Sequence, residues 1–272
     1  MINQNFKMDF HTHTNYSPDS KTDMKKSILT AIEKNITDLA FTDHVDFDAD
    51  IDSGIGDWDF DRNKYEEEIK FYQAKFEDQI NLYHGLEIGV QPHLTDRNRD
   101  VVKMNQYDFV IASLHSVERR DLYHKKYFEN HSDIDAIRIY FESYFESVKT
   151  FKDYSVLGHL DLYVRYKEEL ENVAFHKYND HVEALLRMVI EDGKGIEINT
   201  GGYRYGLKYA NPNRSFLELY KELKGEILTI GSDAHTPDFL GHKYDETVHL
   251  LKEIGFKYVS IFEQLKPKFI KL

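Results

Sequence analysis

Short apolar runs alternate with stretches of helical periodicity along the whole chain. The runs at 7–11, 36–42, 80–87, 107–114, 155–160, 195–199, 227–231 and 257–262 have the length and apolar content of buried strands. Between them, residues 24–35 show the helical pattern clearly. Met24, Ile28, Ala31 and Ile32 recur at helical spacing, Thr22 and Asp23 supply an N-cap and an acidic first turn, and the pattern stops near Asn35. The same periodicity predicts helices at 65–76, 134–151, 176–190, 215–223 and 244–254. This alternation predicts seven or eight βα units around a mostly parallel sheet, an α/β fold. A chain of 272 residues is close to the roughly 250 that an α/β barrel takes as one domain. No tandem repeat, low-complexity tract or Pro/Gly-rich linker divides it, so 1–272 is expected to be a single domain. The acidic stretch 43–61 is the clearest long loop and is expected to be solvated, with a part in a lid as the alternative.

Composition narrows the chemistry. A formal net charge of -13 argues against holding nucleic acid through a broad basic face, which leaves a small molecule as the expected partner. No apolar run approaches the roughly 18 residues that span a bilayer, and the opening residues lack the apolar core of a secretion signal, so a cytoplasmic location is expected, with no membrane partner. With no cysteine, thiolate zinc sites and iron–sulfur clusters are excluded, and any metal must be held by His and carboxylate.

His and carboxylate residues do fall where strands end. His11 and His13 close the first run, with Asp19 six residues on; His44 follows the second, Glu87 ends the third, His115 the fourth and His159 the fifth, and Asp233 and His235 follow the seventh. In a parallel barrel these ends converge on one face, where active sites are built. Residues i and i+2 of an extended segment point the same way, so His11 with His13, and Asp233 with His235, can reach one cluster while Thr12 and Ala234 turn away. A strand-end His taken alone is usually a hydrogen-bonded structural residue. Six imidazoles and three carboxylates together exceed the needs of one tetrahedral ion and suffice for two or three, with zinc, manganese or iron favoured over all-oxygen calcium or magnesium. Glu87, flanked by Leu86 and Ile88, needs a cation or donors to offset its desolvation. The other histidines, His84, His93, His176, His181 and His249 among them, have no such placement and are expected mostly on the surface or on helices.

The segments Asp9-Phe10-His11-Thr12-His13, Thr42-Asp43-His44, Gly85-Leu86-Glu87-Ile88-Gly89, Ser113-Leu114-His115-Ser116, Gly158-His159-Leu160-Asp161 and Gly231-Ser232-Asp233-Ala234-His235 occur in one order over nearly the whole chain. In this the sequence resembles the polymerase and histidinol phosphatase (PHP) superfamily, and within it the monofunctional histidinol-phosphate phosphatases. The resemblance implies a distorted (β/α)7 TIM-like barrel, with the eighth run peripheral, and a trinuclear centre of divalent ions. By position, His11, His13, Glu87 and Asp233 would bind the first ion, Glu87 would bridge to a second that also takes His115 and His159, and Asp19, His44 and His235 would bind the third. Asp43 and Asp161 are expected to support ligand imidazoles.

The implied activity is hydrolysis of L-histidinol phosphate in histidine biosynthesis, by in-line attack of a hydroxide bridging two ions, with no covalent phosphoenzyme. Three divalent ions, three carboxylates and one hydroxide leave about +2, which matches a phosphate dianion. Glu87, Asp233 and His235 are the expected catalytic groups, Asp233 or His235 supplying the leaving alkoxide's proton unless a bound water does so. Arg165, Arg204 and Lys208, the last two beside Gly201 and Gly202, are candidates for the phosphate, with Ser116 and Arg119 as weaker ones. From charge alone, Asp46 or Asp48 would meet the substrate amine. A phosphotyrosine or nucleotide phosphoesterase is the alternative within the class, and a noncatalytic metal-binding domain the alternative outside it.

Overall fold

The computed structural model describes residues 6–50, 52–54 and 56–272. Residues 1–5, read above for a leader core, and Ile51 and Ile55 of the acidic stretch lie outside the described residues.

Seven parallel strands form a nearly closed barrel surrounded by helices: β1 (Met8–Asp9), β2 (Asp38–Phe41), β3 (Asn81–Gly89), β4 (Phe109–Ser113), β5 (Val156–Leu157), β6 (Gly195–Asn199) and β7 (Leu228–Gly231). They pair in chain order, all parallel. Their apolar side chains are buried throughout, as strands covered on both faces require. The strands are unequal, from two residues in β1 and β5 to nine in β3, which distorts the barrel. β1 meets β7 mainly past their formal ends. Phe10 N–H donates to the Ile230 carbonyl (2.9 Å), Asp233 N–H to that of His11 (2.7 Å) and His13 N–H to that of Ala234 (3.0 Å). Thr12 and Ala234, read as turned away from the cluster, form this bridge. The buried Asp9 carboxylate clamps the seam, accepting from Ser232 N–H (2.8 Å), Ser232 Oγ (2.6 Å) and Gly241 N–H (2.8 Å).

The principal helices are α1 (Met24–Glu33), α2 (Arg62–Lys75), α3 (Thr95–Met104), α4 (Asp133–Thr150), α5 (Asn179–Glu191), α6 (Arg214–Glu222) and α7 (Tyr244–Ile254). All six expected helices start within three residues of the sequence pattern's bounds, and α7 coincides with them. Asp23, rather than Thr22, caps α1, its carboxylate accepting from Lys26 N–H at 2.9 Å. α3 escaped the pattern because it buries little apolar surface, with Val101 and Val102 as its buried hydrophobics.

Two expectations change. The run at 257–262 is a strand outside the barrel: β8 (Tyr258–Glu263) pairs antiparallel with β9 (Lys266–Lys271). This hairpin closes the N-terminal end of the barrel, where Leu265 N–H donates to the Asp108 carbonyl (2.9 Å) and the Phe262 ring packs on Phe109 (5.2 Å), which packs on Phe10 (5.2 Å). The first half of the acidic stretch is buried rather than solvated. His44–Val45 adds a parallel pair beside Glu87 and Ile88, Asp46 bridges Trp58, and the Arg97 guanidinium sits 3.6 Å from the Phe47 ring centre. Gln91 Nε2 donates to the Phe47 and Asp48 carbonyls and Ser116 Oγ to that of Ala49. No helix among the described residues is long and apolar enough to cross a membrane.

Phe262 is 2% exposed, so truncating it leaves a cavity between hairpin and barrel. Phe262→Ala should destabilise the fold by about 3 kcal/mol, read as a lowered urea midpoint. A midpoint unchanged from the parent would mean that the hairpin is not part of the core.

Candidate metal centre

The barrel's register gathers the strand-end residues at the C-terminal mouth. His44 lies level with Glu87 across the parallel pair, and Gly89 lies level with Ser113. Side chains alternate along β3, so Tyr83, Gly85, Glu87 and Gly89 share one face. A Cβ at Gly89 would collide with the Asp46 carboxylate, so the absent side chain makes room for that acid.

Glu87, 1% exposed, is the centre of the arrangement. Its Oε2 stands 3.0 Å from His11 Nε2, 3.1 Å from His44 Nδ1 and 3.5 Å from His13 Nε2. Its Oε1 faces the other way, 2.9 Å from His159 Nε2 and 3.2 Å from His115 Nε2, and accepts from Ser113 Oγ at 2.7 Å. Asp233 Oδ1 lies 3.3 Å from His13 Nε2 and 3.7 Å from His11 Nε2. Asp19 Oδ2 lies 2.9 Å from His235 Nε2 and 3.7 Å from His44 Nε2. All nine of the expected ligand residues are thus brought together.

Two features match divalent ions. Donor atoms about 2.1 Å from one tetrahedral ion are about 3.4 Å apart, which is the spacing seen here. Second, His11 Nε2, His13 Nε2 and His44 Nδ1 are buried and make no hydrogen bond, although carboxylate oxygens stand at 3.0, 3.3 and 3.1 Å. Buried polar atoms aimed at one another in this way need a cation between them. The local electrostatics agree. Burial lowers the His11 pKa, yet Glu197, Glu87 and Asp233 overturn that and raise it well above the ordinary imidazole value, so the carboxylates demand positive charge at this spot. His13 goes the other way: burial, with His235 and His44 beside it, holds it well below the ordinary value, in the neutral form a ligand must have.

The residues that orient the imidazoles were missed or misassigned in the sequence. His11 Nδ1 is held at 2.6 Å by Glu197 Oε1, His115 Nδ1 at 2.8 Å by Asp46 Oδ1, and His13 Nδ1 at 3.1 Å by Ser17 Oγ. Asp43 and Asp161 touch no ligand imidazole. Asp43 accepts from Thr14 and Ser17 and so shapes the loop after β1. Asp161 accepts from Asn211 Nδ2 (2.6 Å) and Asn213 N–H (3.0 Å). Glu197 had left a signal, a lone carboxylate inside the apolar strand Gly195–Asn199. Asp46 left none, because it looks like any other acid of its stretch.

A cavity of about 390 Å³ opens over the cluster, lined by Asp19, His44, Glu87, His115, His159, Asp233 and His235 and by a wall containing Trp58, Asp121, Tyr123, Tyr166 and Tyr205. Arg165 also lines it, with Nη1 donating to Asp233 Oδ2 (2.8 Å), Nη2 to Asn199 Oδ1 (2.7 Å) and Nε to Asn211 Oδ1 (2.7 Å). Arg204 donates to the Ser232 and Asp233 carbonyls, bracing Asp233 in its left-handed conformation (φ 57°). The two guanidiniums converge on Gly201, where an added Cβ would meet Arg165 Nη2 at 3.0 Å and Arg204 Nη2 at 3.1 Å. Lys208 is exposed and outside the cavity lining. Ser116 is spent on the Ala49 carbonyl and Arg119 lies 3.4 Å from Asp48, so neither faces the cluster. His84, expected on the surface, is buried in β3 with Nδ1 at 3.0 Å from the Gln106 carbonyl oxygen, on the side of the strand away from Glu87.

The PHP domain model matches residues 9–201, well over half of the chain. The chain belongs to the PHP family. This PHP domain is 29% identical over 266 residues to the histidinol-phosphatase of Lactococcus lactis, covering 96% of each chain. It is 26% identical over 259 residues to a Clostridium acetobutylicum protein named "Probable histidinol-phosphatase", covering 94% of this chain and 97% of that one. A crystal structure of histidinol phosphate phosphatase from Lactococcus lactis, complexed with zinc, L-histidinol and phosphate, superposes with a TM-score of 0.86 at 26% identity, over 96% of this chain and 98% of the other.

Removing the carboxylate behind His11 tests the orienting role in this PHP domain. Glu197→Gln should weaken zinc binding roughly 10- to 100-fold, measured by competition with a chromophoric chelator. Affinity equal to the parent's would mean that Glu197 does not set His11.

Proposed function

We propose that this chain is a metal-dependent phosphomonoesterase that hydrolyses L-histidinol phosphate to L-histidinol and phosphate, a step of histidine biosynthesis carried out in the cytoplasm by a single PHP-type domain spanning 1–272. The observation that carries the reading is Glu87, one carboxylate set between two groups of imidazoles, in a barrel closely similar to one crystallised with zinc, L-histidinol and phosphate. His11, His13, Glu87 and Asp233 would hold one divalent ion, Glu87, His115 and His159 a second, and Asp19, His44 and His235 a third, with zinc, manganese or iron suited to the mixed donors. Bound there, such ions supply Lewis acidity and make water a nucleophile at neutral pH.

The protein's own groups do the rest. Arg165, which lines the cavity beside Asp233, binds and orients the phosphate oxygens, while Arg204, outside the lining and engaged by the Ser232 and Asp233 carbonyls, braces Asp233 instead. Lys208 has no part in this assignment, being outside the cavity lining. The leaving alkoxide needs a proton; Asp233 and His235, lining the cavity beside the cluster, would orient a water that donates it, since as cation ligands they hold no proton of their own to give. Seated on the cluster, the phosphate directs the rest of a small substrate toward the aromatic wall.

Steady-state turnover on histidinol phosphate, phosphotyrosine and nucleotide monophosphates tests the specificity. Histidinol phosphate should have the highest kcat/KM, and equal, feeble rates on all three would overturn the assignment. Glu87→Gln should lower kcat/KM for histidinol phosphate by more than about a hundredfold, since even partners one bond further out cost that much, while the far-ultraviolet circular dichroism stays native. Full activity in that variant would remove the bridging role of Glu87.

A further inference from the structure

We propose that Asp121 recognises the ammonium group of the substrate and so selects cationic phosphomonoesters; this rests on the phosphatase reading above. Five carboxylates line the cavity: Asp19, Asp46, Glu87, Asp121 and Asp233. Four are engaged. Asp19 faces His235 and His44, Asp46 holds His115, Glu87 faces five imidazoles, and Asp233 takes Arg165. Asp121 differs from them. Among the described residues, no imidazole, guanidinium or ammonium lies within ion-pair reach of its carboxylate, and the hydrogen bond it makes is to the backbone N–H of Tyr123 (Oδ1, 2.7 Å).

Its place in the fold is fixed. The strand pair Ser116–Val117 and Arg120–Asp121 sets Asp121 opposite Ser116, and the next residue, Leu122, donates its N–H to the His115 carbonyl at 3.0 Å. A candidate metal ligand and an acid without an ion-pair partner therefore line one cavity from the same short hairpin. In histidinol phosphate the ammonium is on the carbon next to the ester CH2, so a phosphate seated on the cluster keeps the cation inside the same cavity, where Asp121 is the lining carboxylate without an ion-pair partner. Asp48, expected from the sequence to meet the amine, is occupied on the outside by His93 and Arg119, and Asp46 is occupied by His115. Beyond Asp121 the rings of Tyr123, Tyr166 and Tyr205 stand edge to face in sequence, at 5.9 and 6.1 Å, and offer a surface for a planar heterocycle.

The test compares histidinol phosphate with p-nitrophenyl phosphate, which has no cation, in the parent and in Asp121→Asn and Asp121→Glu. In Asp121→Asn, KM for histidinol phosphate should rise roughly 10- to 100-fold, the range a charge-assisted hydrogen bond supplies, with kcat little changed and p-nitrophenyl phosphate hydrolysis unaltered. Asp121→Glu should recover part of the loss. If the parent prefers histidinol phosphate and Asp121→Asn prefers it equally, the assignment of Asp121 is overturned while the proposed function stands. An equal loss on both substrates also overturns it, since that marks a disturbed cluster rather than a lost cation site. A parent with no preference for histidinol phosphate overturns the functional reading and this inference together.

Discussion

The structure depends on keeping one carboxylate charged where water cannot reach it. Burial alone would raise the pKa of Glu87, but His11, His44 and His115 hold it well below the ordinary carboxylate range. An isolated buried charge costs several kcal/mol, and histidines compensate it only if they are protonated or share a cation with it. Protonating them all is not an option, because His13 stacks on both His44 and His235 at 4.2 Å and is driven neutral. A shared cation satisfies both demands. This is why His11, His13 and His44 turn buried nitrogens toward carboxylates at metal-ligand spacing without hydrogen-bonding them, and why the barrel has a charged mouth over an apolar floor.

The same constraint explains the devices at the barrel seam. β1 contributes two residues of ladder, yet it must deliver His11 and His13 to within 3.5 Å of Glu87. Hydrogen bonding past the strand ends, between residues 10–13 and 230–234, compensates for the short ladder, and Asp9 locks the seam from beneath. Asp233 then carries a positive φ, a backbone conformation that costs about 1 kcal/mol or more in a residue with a side chain. Arg204 on two successive carbonyls and Arg165 on the carboxylate hold it there. Both arginines thus position a candidate ligand, and Arg165, on the cavity wall, also brings the charge proposed to meet the phosphate, two duties that are compatible because a guanidinium has five donors.

Much of this was legible in the sequence because strand-end placement is a local signal. Apolar runs mark the barrel strands, and a His or acid at the end of six of the seven barrel runs marks the mouth, so the nine candidate ligand residues could be named without coordinates. The orienting residues were harder. Their partners lie 186 residues away for Glu197 with His11 and 69 for Asp46 with His115. No sequence spacing encodes such pairs. Asp43 and Asp161 were assigned to imidazoles because they adjoin ligands in the chain, but neighbours along a strand end point to different sides: Asp43 reaches His13 only through the Ser17 hydroxyl, and Asp161 went to the Asn211 amide and the Asn213 backbone. α3 and β9 were missed because each buries too little apolar surface to leave a periodic trace; most of β9 is exposed.

Specificity follows from how the remaining segments are used once the metal ligands are fixed. The acidic stretch after β2 folds inward, so its negative charge is largely consumed: Asp46 by His115, Asp50 by His124, Asp52 by Arg120 and Asp57 by Arg97. A wall built from many acids therefore presents few free ones. The cavity accordingly presents Arg165 beside the candidate cluster, the rings of Tyr123, Tyr166 and Tyr205, and one lining carboxylate, Asp121, without an ion-pair partner among the described residues. Net charge of -13 describes the whole molecule, but the proposed selection depends on Asp121, the one cavity-lining acid among the described residues without an ion-pair partner.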